Sequence, residues 1–141
     1  MDLPQSFIRQ TSPILGSELD AFLQSLQLDS PTSIRLNDKI SIKHQHQVPW
    51  CETGFYLPER PLFTADPLFH AGAYYVQEAS SMFLEQAVKQ YISEPVNMLD
   101  LCAAPGGKST HLSSLLPQGS LLVSNEIIRS RAYILAENLA K

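Results

Sequence analysis

The sequence is short of most features that mark a specialised environment. It has two cysteines in 141 residues, Cys51 and Cys102, and neither has a second cysteine or a histidine at a metal-ligand spacing. No disulfide framework is implied. No apolar run approaches the roughly 20 residues that a membrane helix needs. The opening MDLPQSFIRQTSP lacks the basic segment and apolar core of a secretory signal. A cytoplasmic protein with no membrane partner is the expectation. Charged residues are only 17% of the chain and the net charge is −4, which argues against a strongly basic nucleic-acid surface but leaves room for a local patch. The acidity lies in front: residues 1–96 hold 6 Lys and Arg against 11 Asp and Glu, while 97–141 hold 4 against 3.

What is present reads as an ordinary α/β chain with 44% hydrophobic residues, long enough for one good core. GSELDAFLQSLQLDSP has Leu19, Phe22, Leu23 and Leu26 on one helical stripe, Ser17 and Asp20 placed as a capping box, and Pro31 as a stop. In TSIRLND, Ile34 and Leu36 alternate with Arg35 and Asn37, as in a strand with one wet face, and Asn37-Asp38 suggests a turn. From Val48 to Gly72 the prolines 49, 58, 61 and 67 and many aromatics indicate ordered loop and short strand. YYVQEASSMFLEQAVKQYI then predicts a second amphipathic helix, with Ala79, Met82, Phe83, Ala87 and Tyr91 on its apolar stripe.

After Pro95 the pattern becomes strand, glycine turn, helix, strand, helix. Val96–Leu101 and SLLVSN are buried-type strands, GKSTHLSSLL is a helix closed by Pro117 and Gly119, and Ile128, Ala132, Leu135 and Leu139 stripe a last helix. Such a pattern implies parallel strands joined by a right-handed crossover. Two parallel strands leave a sheet edge bare, so an incomplete sheet belonging to a longer protein is expected. The fold class is therefore α/β: a small N-terminal α/β domain over residues 1–70, and from 71 to 141 the first part of a Rossmann-like domain.

The string GGKST after the first of these strands invites comparison with a phosphate loop. A Walker loop needs glycine five places before the second one, and Cys102 stands there; Pro105 also removes an N–H from any phosphate cradle. The dinucleotide pattern G-x-G-x-x-G fails as well. A loop that instead brings its backbone to a nucleoside-containing ligand would use Glu126, at the end of the second strand, to accept hydrogen bonds from ribose hydroxyls. S-adenosylmethionine, which joins a ribose to a carboxylate, is such a ligand. A plainer alternative has Gly106 and Gly107 merely turning the chain and Glu126 capping the last helix.

The residues MLDLCAAPGGKSTHLSSLL and GSLLVSNEIIRSRAYILAENL resemble motif I and its continuation in the Sun (Fmu) family of RNA cytosine-5 methyltransferases, and GAYYVQEASSMFLEQAV resembles the segment before motif I. SIRLN and VPWCETGFYLP look like parts of that family's N-terminal domain, closest to its bacterial ribosomal-RNA members. The resemblance implies that Cys102, Ala103, Ala104, Pro105, Gly106, Gly107 and Lys108 bind S-adenosylmethionine and that Glu126 holds its ribose. RNA, ribosomal RNA in particular, is the implied partner.

Methylating carbon 5 of cytosine requires a cysteine thiolate to attack carbon 6 first. The resembled family uses a Thr-Cys and a Pro-Cys pair, and neither pair occurs here. No catalytic residue is therefore expected within these 141 residues, and the chain alone is expected to be inactive. Trp50, Phe55, Tyr56, Tyr74 and Tyr75 are candidates to stack on bases, with loop-core filling as the commoner role of such residues. Arg35, Lys39 and Lys43 are candidates for phosphate contact. His44 and His46 lie in a polar stretch, His70 and His111 have no clustered acidic or thiol partner in the sequence, and no metal is expected. Two further classes stay open: a non-catalytic module that binds RNA or a partner subunit, and a small-molecule methyltransferase.

Overall fold

A computed structural model describes residues 3–37 and 46–141. The expected turn residue Asp38 and the candidates Lys39, Lys43 and His44 lie outside the described residues. The chain divides into two compact units, Met1–Pro31 and Thr32–Lys141.

The first unit is helical. Helix α1 (Gln5–Leu15) ends where Gly16 takes φ 52°, a left-handed conformation suited to glycine, and a 3-10 turn over Gly16–Glu18 leads into α2 (Leu19–Ser25). Phe7 of α1 and Phe22 of α2 face each other with ring centroids 6.3 Å apart. The expected Ser17–Asp20 capping box does not form, because Ser17 is already inside a 3-10 turn and lacks the extended backbone that an N-cap needs.

The second unit starts with an antiparallel sheet in the order β2–β1–β3, built from β1 (Thr32–Leu36), β2 (Gly54–Leu57) and β3 (Tyr74–Val76). Ile34 pairs with Phe55 on one side and Val76 on the other. Ile34 and Leu36 pack with Phe63 against Phe55, Leu57, Phe69, Tyr74 and Val76. The wet face expected for β1 is not wet: Ser33 and Arg35 are each 4% exposed. Ser33 Oγ donates to Gln77 O at 2.6 Å, Arg35 Nε donates to Gln77 Oε1 at 3.0 Å, and Arg35 Nη2 donates to Thr110 Oγ1 at 2.6 Å. Arg35 is therefore no surface phosphate contact.

Between β2 and β3 lies the four-residue helix α3 (Pro67–His70), capped by Asp66, whose Oδ1 accepts the Leu68 N–H at 2.9 Å. Beyond β3 the predicted single helix is a strand, a 3-10 turn over Ala79–Phe83, and helix α4 (Leu84–Tyr91). The buried stripe is Ala79, Met82, Glu85 and Val88, spaced by three as a 3-10 start dictates, which leaves Phe83 and Tyr91 exposed.

The last part follows its expected order: β4 (Asn97–Asp100), α5 (Gly107–Leu115), β5 (Leu121–Ser124) and α6 (Arg129–Ala140), with β4 and β5 parallel and Asp100 opposite Ser124. Met98, Asp100, Leu122 and Ser124 point to a covered face, while Leu99, Leu121 and Val123 are exposed on the other. This is the incomplete α/β sheet that two strands imply. About half exposed, each such bare side chain forgoes part of the roughly 1.5–3 kcal/mol that its full burial supplies.

The Asp66 cap yields a pH prediction. The Tyr74 hydroxyl, donating to Asp66 Oδ2 at 2.6 Å, and the Leu68 N–H hold the Asp66 carboxyl below its usual 3.8. A depressed carboxyl stabilises the fold above its unfolded value and loses that effect as pH falls. Asp66→Asn is expected to lower the melting temperature at pH 7, and the difference from wild type is expected to shrink when melts are repeated at about pH 2.

Candidate functional site

The site lies at the carboxyl ends of β4 and β5, where open parallel sheets bind ligands. Asp100, the last residue of β4, holds the start of the loop: Oδ1 accepts the Cys102 N–H at 3.3 Å and Oδ2 accepts the Ser109 hydroxyl at 2.7 Å. Ser124 Oγ donates in turn to Ser109 Oγ at 3.0 Å, so a buried hydroxyl chain joins β5, α5 and β4.

Asn125 tethers the loop from the neighbouring strand. Its carbonyl accepts the Ala103 N–H at 2.9 Å, its own N–H donates to Asp100 O at 2.8 Å, and its Nδ2 donates to Leu101 O at 2.9 Å. Helix α6 adds two more tethers, Arg131 Nη2 to Ala104 O and Asn138 Nδ2 to Pro105 O, both 2.8 Å. Ala103 and Ala104 are buried with Leu135, and the Ala104–Pro105 peptide is cis.

Gly106 and Gly107 then open α5. Gly106 has φ 115°, and a Cβ there would meet Leu135 Cδ1 at 3.3 Å and Asn138 Cβ at 3.4 Å. A Cβ on Gly107 would meet Tyr75 Cε1 at 3.1 Å. Gly106 needs glycine for its conformation, and at Gly107 a side chain would require the Tyr75 ring to give by a few tenths of an ångström. Among the described residues no side chain caps α5, so the N–H groups of its first turn have no intrahelical acceptor. Lys108 and Cys102 are exposed beside them.

Glu126 follows Asn125 directly, so the structure brings it next to the loop. Its Oε1 accepts the Ile128 N–H at 2.9 Å, its Oε2 stands 3.7 Å from Arg131 Nη1, and its side chain is 5% exposed. The bond goes to the residue before α6 and not to a first-turn N–H, so Glu126 stands at the start of α6 without capping it by a hydrogen bond. Neither Asn125 nor Ser109 was singled out from the sequence. An asparagine ending a strand reads locally as turn chemistry, and its three bonds to the loop have no sequence signature.

The stacking candidates mostly fill the core. Trp50 and Tyr56 pack on Val48, Cys51, Ala79 and Met82, with Trp50 Nε1 donating to Ala79 O at 2.7 Å. Phe55 and Tyr74 pack around Ile34 and Leu36, and Tyr75 is half-buried against Gly107. A cleft of about 680 Å³ is lined by Arg60, Phe69, Tyr74, Tyr75, Ser114 and Asn138 among others, of which Tyr75 and Asn138 also stand against the glycine loop.

His111 corrects the sequence expectation. It has both a thiol and an acidic partner: its Nε2 lies 3.8 Å from Cys51 Sγ and 3.1 Å from Glu85 Oε2, all within the buried interior. The partners lie 60 and 26 positions away in the chain, so no spacing rule links them. Burial, then the hydrogen bond to Glu85, pushes the Cys51 thiol up to about 11. Burial pushes Glu85 upward too, but hydrogen bonds from Cys51, Lys89, the Glu52 N–H and His111 outweigh it and bring the carboxyl down to about 2.

A family model described as the N-terminal domain of 16S rRNA methyltransferase RsmF matches residues 3–79, and one described as 16S rRNA methyltransferase RsmB/F matches residues 90–141. The chain belongs to the RsmF family. Among its relatives, ribosomal RNA small subunit methyltransferase F of Vibrio atlanticus is 35% identical over 99% of this chain and 33% of its own length. The protein of the same name from Aeromonas salmonicida is 36% identical, again over 99% and 33%. This RsmF-family chain thus spans about one third of the curated relatives it matches. Its fold is similar to the crystal structure of a methyltransferase homolog from Pyrococcus horikoshii, with a TM-score of 0.70 and 25% identity over 98% of this chain and 53% of that one.

The Arg35 brace is the contact that ties the RsmF-type N-terminal sheet to the loop-bearing helix. Arg35→Met leaves buried Gln77 and Thr110 acceptors without their donor and is expected to lower stability by about 2–3 kcal/mol in urea denaturation. Arg60→Met, at an exposed position, is expected to change it by less than about 0.5 kcal/mol.

Proposed function

We propose that this chain is the N-terminal part of an S-adenosylmethionine-dependent RNA cytosine-5 methyltransferase that acts on small-subunit ribosomal RNA in the cytoplasm. The observation that carries the reading is the pairing of an uncapped helix start with a carboxylate on adjacent parallel strands. The donor set suits the cofactor. The first-turn N–H groups of α5, with Lys108 beside them, suit its carboxylate. Glu126 retains lone pairs for ribose hydroxyls, since one oxygen serves the Ile128 N–H and the other meets Arg131 only at 3.7 Å. Cys102, Ala103, Ala104, Pro105 and Gly106 would form the wall, small enough for close backbone approach. When bound, the cofactor supplies the electrophilic methyl group.

The relatives' names supply ribosomal RNA as the substrate class. The cleft beside Tyr74, Tyr75 and Arg60 has the aromatic and cationic lining that holds an unstacked base. Among the described residues no helix is long and apolar enough to cross a membrane. The cytosine chemistry needs an accessible, activated thiolate. Cys51 has the opposite character, being 2% exposed with its thiol pushed up to about 11, and Cys102 belongs to the cofactor loop. The chain by itself is therefore inactive in this reading.

Calorimetry with S-adenosylhomocysteine tests the pocket. Weak binding to residues 1–141 is expected, weakened about tenfold further by Glu126→Gln. Binding that ignores Glu126→Gln would count against the assignment. Labelled cofactor and ribosomal RNA are expected to give no methyl transfer with the 141-residue chain alone.

A further inference from the structure

Away from the cofactor loop, three metal-ligating groups converge inside the second unit. A sulfur of Cys51, a carboxylate oxygen of Glu85 and a ring nitrogen of His111 all lie within 4.8 Å of one another, and all three residues are buried. They come from three separate elements. Cys51 sits in the tight turn before β2, where its N–H donates to Val48 O and its carbonyl accepts the Gly54 N–H, both at 3.1 Å. Glu85 lies in the first turn of α4, and His111 about one turn along α5 from Gly107.

Both separations from the His111 ring nitrogen fit a tetrahedral ion, and the thiol and carboxylate stand within 4.8 Å of each other. With a zinc–sulfur distance near 2.3 Å and zinc–nitrogen and zinc–oxygen near 2.0 Å, ligand atoms stand about 3.5 Å (S···N) and about 3.3 Å (N···O) apart. Here those separations are 3.8 Å and 3.1 Å. The outer oxygen of Glu85 is held in place as ligating carboxylates are: Oε1 meets Lys89 Nζ at 2.8 Å and accepts the Glu52 N–H at 3.2 Å, which leaves Oε2 facing the imidazole. Thr53 Oγ1, 3.8 Å from Sγ, offers a further oxygen for the fourth position.

We propose that Cys51, Glu85 and His111 bind one zinc ion that staples the turn before β2 to helices α4 and α5. A thiolate, a carboxylate and a neutral imidazole balance a divalent charge. One soft, one intermediate and one hard donor suit zinc better than calcium or magnesium, which reject thiolate, or copper(I), which disfavours carboxylate. The ion would anchor α5 from behind its glycine start, so it acts on the placement of the loop and not on the methyl group. Buried ligands pose no barrier to entry if zinc binds as the chain folds.

The test unfolds the full 141-residue chain in denaturant with a chelator, refolds it with zinc alone, and reads metal content by mass spectrometry after desalting. One zinc per chain is expected for wild type and Cys102→Ser, and a loss of affinity of about a hundredfold or more for Cys51→Ser and His111→Gln. Because those variants can fail to fold, two measurements on folded protein accompany them. Zinc is expected to raise the melting temperature of the stripped wild type and of Cys102→Ser alike. Cobalt(II) is expected to give sulfur-to-metal charge transfer and tetrahedral ligand-field bands in both. Background metal content in wild type, cobalt spectra without a thiolate band, or a site lost in Cys102→Ser would each overturn the proposal.

Discussion

The guanidinium of Arg35 is the constraint around which this molecule is arranged. It leaves a strand of the antiparallel sheet, meets Gln77 just past β3, and ends on Thr110 of α5. A buried cation is tolerable only when acceptors surround it, so sheet and helix must keep their spacing or leave a charge unsolvated. The link therefore makes the N-terminal sheet part of the support for the glycine loop. In this chain the small sheet is thereby held in a fixed orientation to helix α5.

The loop itself shows how a site can be rigid without being capped. Its backbone is bound by Asn125, Arg131 and Asn138. Its entrance is held by Asp100 through Cys102 and Ser109, and its exit is free of any side-chain acceptor among the described residues. Groups facing the protein are bonded, while those of the helix start have no side-chain cap. Preorganisation of this kind lowers the ordering cost of binding. Glu126 joins the two ends of this arrangement, following Asn125 directly and holding the Ile128 N–H just before α6.

How much could be read from residue order follows from the range of the interactions. The parallel half was legible because buried strands are short apolar runs, and because Pro117, Gly119 and Glu126 punctuate the chain locally. The glycine motif was legible because its failure as a phosphate loop depends on the identity of Cys102 and Pro105 alone. Arg35 was misjudged: alternation of charged and apolar residues reads as a wet face, and only the position of α5, far along the chain, makes that face an interior. Helix α1 was missed although Phe7, Ile8, Ile14 and Leu15 fall at helical spacing, because Pro13 reads as a helix stop. The stretch 74–91 has a helical pattern, but pairing with β1 claims Tyr74–Val76 as strand. His111, Glu85 and Cys51 meet only in three dimensions.

The tethers of the loop also set an order of events. Leu101 to Pro105 are held by Asn125, Arg131 and Asn138, which all come later in the chain, the last of them 33 residues on. The AAPGG segment is therefore polymerised before any of its holders, and its bonds can close only once β5 has paired and the far turns of α6 have formed. A loop set early in the domain thus depends for its shape on residues that come near the end of the chain.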